Sequence, residues 1–242
     1  MASGAFGLLG GRGSRVGRGP MPRVLVVLRM RGGQIGSGFR SKNPATDMIT
    51  GATVAGGLAQ VMRPGLMELG AKHGPSIAAG QWWRLFTPML LHGGVVHLGC
   101  NLFSLRNVGP ALESWYGPGR TIGVYVFAGA CGNVASTMAG LGGFSVGASG
   151  AVAGLVGALA VHYARHQNIM GPQSQRVLQN IGQVVALNAF LGLALPSIDN
   201  FAHLGGLVGG ATAGYFIGCR YLPVRDRLGR LRGYKDKPII SF

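Results

Sequence analysis

Residues 121–164 read TIGVYVFAGACGNVASTMAGLGGFSVGASGAVAGLVGALAVHYA, and no Asp, Glu, Lys or Arg occurs between Arg120 and Arg165. Two stretches inside this run, the uncharged Thr121 to Gly142 and the glycine-rich Val146 to Ala164, have the length of bilayer-crossing helices, about 20 residues. The short alternating strands of a membrane barrel do not fit such lengths. Working outward, Val95 to Pro110 (which carries Arg106), Val177 to Leu195 and Phe201 to Cys219 repeat the pattern. A sixth stretch, Met48 to Met62, is short, rich in Gly and Ala, and closed by Arg63 and Pro64. The mixed residues 65–94, with Trp82, Trp83 and Arg84, suit the interface, where aromatic rings sit among headgroups. The pattern predicts an all-α polytopic membrane protein: a six-helix transmembrane bundle whose first helix is weak.

Composition points the same way. Of 242 residues 48% are apolar and only 12% charged, about half the charged share of a soluble globular domain. The 45 glycines would weaken soluble helices but let membrane helices pack closely. The net charge of +16 sits mainly at the ends: residues 1–46 hold eight basic residues and no acid, and Arg220 to Lys237 holds seven more. A nucleic-acid groove needs cations along its length or aromatics spaced for stacking, and neither is present, so nucleic acid is not an expected partner. Cys100, Cys131 and Cys219 lie far apart without metal-site spacing, so no metal or cofactor is expected. The chain divides into a basic, disordered, transit-peptide-like segment at 1–46, a transmembrane domain at 47–219 and a basic tail at 220–242. With six crossings both basic ends share a side with Arg120, Arg165 and Arg176. Glu68, Lys72, Arg84 and Asp199, with little net charge, fall on the other.

Polar side chains in lipid ask for a reason. His97 and Asn101, four apart, share a helical face and can present two donors to one point. A polar contact between helices is the alternative. Ser149, in Gly147-Ala148-Ser149-Gly150 at a predicted helix start, becomes a nucleophile if a base reaches it. Helix-terminal N–H groups there would favour an oxyanion. Alone, that string reads more readily as a packing serine. His203, in Ala202-His203-Leu204-Gly205-Gly206, is of the type best suited to general-base work near neutral pH. Small residues recur every four positions at Gly150 and Gly154, and at Gly206, Gly210, Gly214 and Gly218. Such faces would bring the two helices, and so Ser149 and His203, together.

These residues resemble the rhomboid family of intramembrane serine proteases from about Glu68 to Gly218. The likeness includes Trp83-Arg84, the histidine–histidine–asparagine pattern at His92, His97 and Asn101, and Glu113 to Gly117. It also includes the motifs around Ser149 and His203, and it is similar to plant plastid members in particular. The resemblance implies a serine endopeptidase acting on transmembrane protein substrates in the bilayer, with Ser149 as nucleophile and His203 as base. It implies an oxyanion hole of His97, Asn101 and the Ser149 N–H, with His92, Gly147, Gly150, Trp83, Arg84 and Glu113 in supporting positions. A chloroplast membrane follows from the plastid likeness, a mitochondrial membrane being the alternative. Many family members carry an aromatic residue four positions after the nucleophile; Ala153 stands there. An inactive scaffold that binds transmembrane clients is the competing function. Asp199, a helical turn before His203, is expected to be a solvated loop charge. The GxxxG-type faces are used up within one chain and carry nothing about oligomeric state.

Overall fold

The computed structural model describes residues 41–140, 143–195 and 198–240. The transit-peptide-like reading therefore falls almost wholly outside the described residues. Helix α1 runs Pro44–Met62, beginning four residues before the expected Met48. Its first-turn N–H groups have no cap from Asn43. The buried carboxylate of Glu113 instead accepts from the Ala45 and Thr46 N–H groups at 2.8 Å each and from Thr46 Oγ1 at 2.7 Å. A negative charge at a helix N-terminus is well placed.

Residues 63–94 form a folded cap. It contains α2 (Gly65–Gly70), α3 (Gly74–Ala78) and two 3-10 turns at Trp82–Leu85 and Thr87–Leu90. Helix α4 spans Val95–Met138 and is broken at Gly117, whose φ of 74° is a left-handed value that glycine adopts without penalty. Pro118 follows and withholds an N–H from the ladder. The two expected stretches, Val95 to Pro110 and Thr121 to Gly142, are thus consecutive helices meeting at a break rather than helices joined by a loop. Then come α5 (Ser149–Arg165), the single turn α6 (Gln167–Met170), α7 (Pro172–Ala194) and α8 (Asn200–Ile217).

The centre is α4, α5 and α8, which pack on one another most extensively, while α7 lies outside with only Ser174 and Gly192 buried. A Cβ on Gly206 or Gly210 of α8 would run into the carbonyl oxygens of Gly150 or Gly154 of α5. The two helices touch backbone to backbone along the spacing read from the sequence. Among the described helices, one, Pro172–Ala194, is long and apolar enough to cross a bilayer by length and composition. Five clear stretches were expected. The others are rich in glycine; α4 carries Arg106, Glu113 and Arg120 before Thr121, and α5 has 17 residues.

The expected all-α class needs one correction. Residues 221–236, read as tail, form an antiparallel hairpin of β1 (Tyr221–Arg225) and β2 (Leu231–Asp236). Asp226 closes its turn by accepting from the Leu228 and Arg230 N–H groups at 2.9 Å. The hairpin is tied to the bundle by Arg120 Nη2 to Asp236 Oδ2 at 2.7 Å.

Candidate active site

Helices α5 and α8 begin at the same end of the bundle, and each offers a polar side chain within its first turn. His203 Nε2 lies 2.7 Å from Ser149 Oγ, across 54 residues of sequence, inside the reach a general base needs. Ser149 is the first residue of α5, and no side chain caps that terminus. The first-turn N–H groups of a helix have no partner within it, so those of α5 are left uncapped at the end where the serine stands.

Two tethers set the approach to Ser149. The Gly147 N–H donates to Pro88 O at 2.9 Å, and Ser145 pairs with Lys72 through N–H···O bonds of 2.9 and 3.1 Å. Gly147 has φ 129°, and a Cβ there would lie 2.7 Å from His97 Cε1 and 2.9 Å from Nε2. His97 therefore packs against the segment leading into the serine. The Gly93 N–H donates to His97 Nδ1 at 3.2 Å, so Nδ1 is the acceptor and the ring proton sits on Nε2, the nitrogen facing Gly147. Asn101, buried one turn on, donates from Nδ2 to His97 O at 2.9 Å.

The remaining sequence-selected residues hold the cap. His92 is 1% exposed; its backbone is clamped to Gln60 of α1 by bonds of 2.6 and 2.8 Å, and its ring meets His97 edge-on at 5.3 Å. Burial lowers His92 to a pKa of about 4, with the neighbouring His97 adding to the effect. Arg84 is buried and donates to Ala71 O at 2.7 Å and Gln81 Oε1 at 2.6 Å. Trp83 Nε1 donates to Leu69 O at 3.2 Å, and the residue is 42% exposed. Gly150 faces the Ala202 carbonyl of α8, whereas Glu113 lies apart from the pair, at α1.

Asp199 departs from the expected solvated charge. Its carboxylate caps α8 by accepting the Ala202 N–H at 2.9 Å, accepts Ser136 Oγ–H, and lies 3.9 Å from Lys72 Nζ. It makes no side-chain bond to His203 among the described contacts; its carbonyl accepts the His203 N–H at 3.1 Å. Lys72, Ser136 and Gln60 were not selected from the sequence. A lone lysine inside an otherwise weakly charged segment was the available signal.

A family model described as "Rhomboid domain" matches residues 79–220. "Rhomboid protease GluP" of Bacillus subtilis (strain 168) is 39% identical over 169 residues, covering 68% of this chain and 31% of the relative. "RHOMBOID-like protein 1" of Arabidopsis thaliana is 39% identical over 147 residues, 61% of this chain and 36% of that one. "RHOMBOID-like protein 6, mitochondrial", also from Arabidopsis thaliana, is 36% identical over 153 residues, 63% and 49% respectively. The chain thus spans between about a third and a half of the length of these relatives.

Proposed function

The chain belongs to the rhomboid family, and from that premise we propose that it is an intramembrane serine endopeptidase that cuts transmembrane proteins with a Ser149–His203 dyad. The observation that carries this reading is the 2.7 Å approach of His203 Nε2 to Ser149 Oγ, at the helix ends where two glycine faces lock. Ser149 Oγ attacks the substrate carbonyl carbon while His203 Nε2 takes the hydroxyl proton. The oxyanion is met by the His97 Nε2–H, an Asn101 Nδ2–H and the Ser149 N–H. His203 then gives its proton to the leaving amine as the C–N bond breaks. Water, deprotonated by the same nitrogen, releases the acyl group from the serine.

Six crossings fit this reading: α1, the two halves of α4 on either side of Gly117, α5, α7 and α8. A substrate helix hides its carbonyls in hydrogen bonds and must unwind locally before a site among helix ends can reach them. The likeness to plant plastid members, together with the transit-peptide-like N-terminal segment, favours a plastid membrane, with a mitochondrial one as the alternative. A fluorescent protein fused behind residues 1–46 decides between them.

Purified protein in detergent, given a rhomboid-type transmembrane substrate, is expected to cleave it. Ser149→Ala and His203→Ala should each lose at least about 10³-fold in kcat. Cleavage that survives either substitution overturns the dyad. A folded wild type that cleaves nothing, takes up no serine-directed fluorophosphonate, yet still binds a transmembrane client, establishes the scaffold function instead.

A further inference from the structure

Lys72 is 1% exposed, although it lies in the cap rather than in a helix that the proposed chemistry uses. An ammonium that far from water is costly unless it is paired, and an apolar side chain of the same length would fill the space without that cost. Its contacts run to both halves of the proposed dyad. Through the backbone, Lys72 and Ser145 exchange two hydrogen bonds, holding the segment that enters α5 four residues before Ser149. Through the side chain, Nζ donates to Ser136 Oγ at 2.9 Å and faces Asp199 Oδ2 at 3.9 Å. Ser136 in turn donates to the same Asp199 oxygen. Asp199 caps the first turn of α8 through the Ala202 N–H, and its carbonyl receives the N–H of His203.

We propose that Lys72 is a positioning residue for the reaction. Its backbone sets the approach to Ser149, and its ammonium, through Ser136 and Asp199, sets the start of the helix that carries His203. The role rests on the dyad reading above. Lys72 touches neither reacting atom, so its effect lies in how often serine and imidazole meet in bonding geometry. A displacement of about 1 Å at such a pair costs on the order of 10²-fold in rate.

The test is a double-mutant cycle of Lys72→Met, Asp199→Asn and the pair combined, in full-length protein in detergent. Three quantities are read: the rate constant for fluorophosphonate labelling of Ser149, kcat and KM for a transmembrane substrate, and the melting temperature. Each single variant is expected to label roughly 10- to 100-fold more slowly, with kcat falling in step and KM within about twofold. The double variant should be no slower than the worse single one, because both changes break one chain of contacts. Should Lys72→Met fail to fold, Ser136→Ala interrupts the same chain with a smaller change and should slow labelling in the same direction.

Wild-type labelling rates in the variants overturn the proposal. So do single effects that multiply in the double variant, or a loss that disappears when each protein is assayed equally far below its own melting temperature. A wild type that fails to label, or that labels equally as Ser149→Ala, removes the dyad itself and is told apart by that control alone.

Discussion

A methyl group at Gly147 would sit 2.7 Å from the His97 ring, on a backbone whose φ of 129° already disfavours any side chain. Either His97 turns away or the segment entering Ser149 shifts, and both move the proposed oxyanion donor relative to the nucleophile. Gly147→Ala is therefore expected to lose on the order of 10²-fold in kcat while melting within a few degrees of wild type. Kinetics beside thermal unfolding in detergent check this, and near-wild-type turnover would mean that His97 does not work from where it packs. At this scale the sequence was legible where a residue type is costly in its setting. His97 and Asn101 stood out as a polar pair at helical spacing, and Ser149 and His203 through motifs at helix starts. Lys72, Asp199 and Ser136 were not legible, because their pairing joins positions 63 to 127 residues apart. No local pattern encodes such a meeting.

The glycines divide by what they face. On α8, Gly210 meets the backbone of Gly154, and no side-chain rotation can make room. On α1, Gly51 has nothing within 4 Å. Gly210→Val should force α5 and α8 apart, destabilise the fold by about 1–3 kcal/mol or more, and abolish labelling of Ser149. Gly51→Ala should leave labelling unchanged and be neutral or stabilising by up to about 1 kcal/mol. Melting temperature and labelling rate measured together separate the two, and equal effects would refute backbone contact as the glue between α5 and α8. The four-residue recurrence of small residues made that contact readable in advance, since it is a one-dimensional pattern with one geometric solution. Three other features were not. Helix α1 starts early because Glu113, 67 residues away, accepts its Thr46 N–H. The break in α4 falls at Gly117 rather than at the charge of Arg120. The hairpin after α8 has a turn signal at Asp226 to Gly229, obscured by the many basic residues around it.

The whole bundle has two chemically different ends. One gathers the start of α1 at Glu113, the break before Arg120, the C-terminus of α5 at Arg165, and the basic hairpin. These are linked by Ala45 to Glu113, Arg120 to Asp236 and Arg165 Nη1 to Cys219 O. The other gathers Lys72, Ser145, Asp199 and the serine–histidine pair. Between Arg63 and Arg84 and around Asp199 the second end holds three cations against two acids, whereas the first is strongly basic. Cations are retained on the side from which a membrane protein inserts, so the basic end is expected to face that compartment and the serine the other. Single cysteines placed at Lys42, Asn168 and Arg227, in a chain cleared of Cys100, Cys131 and Cys219, should form one accessibility class toward an impermeant maleimide in sealed vesicles. Cysteines at Ser76 and Ile198 should form the opposite class. Each boundary tests one parity: Lys42 against Ser76 requires α1 to cross, Ser76 against Asn168 requires an odd number of crossings among the two halves of α4 and α5, and Ile198 against Arg227 requires α8 to cross. If Lys42 and Ser76 react from the same side, α1 lies along the membrane. The Glu113 carboxylate would then hold an interfacial helix, and five crossings would place the N-terminal segment on the side of the serine.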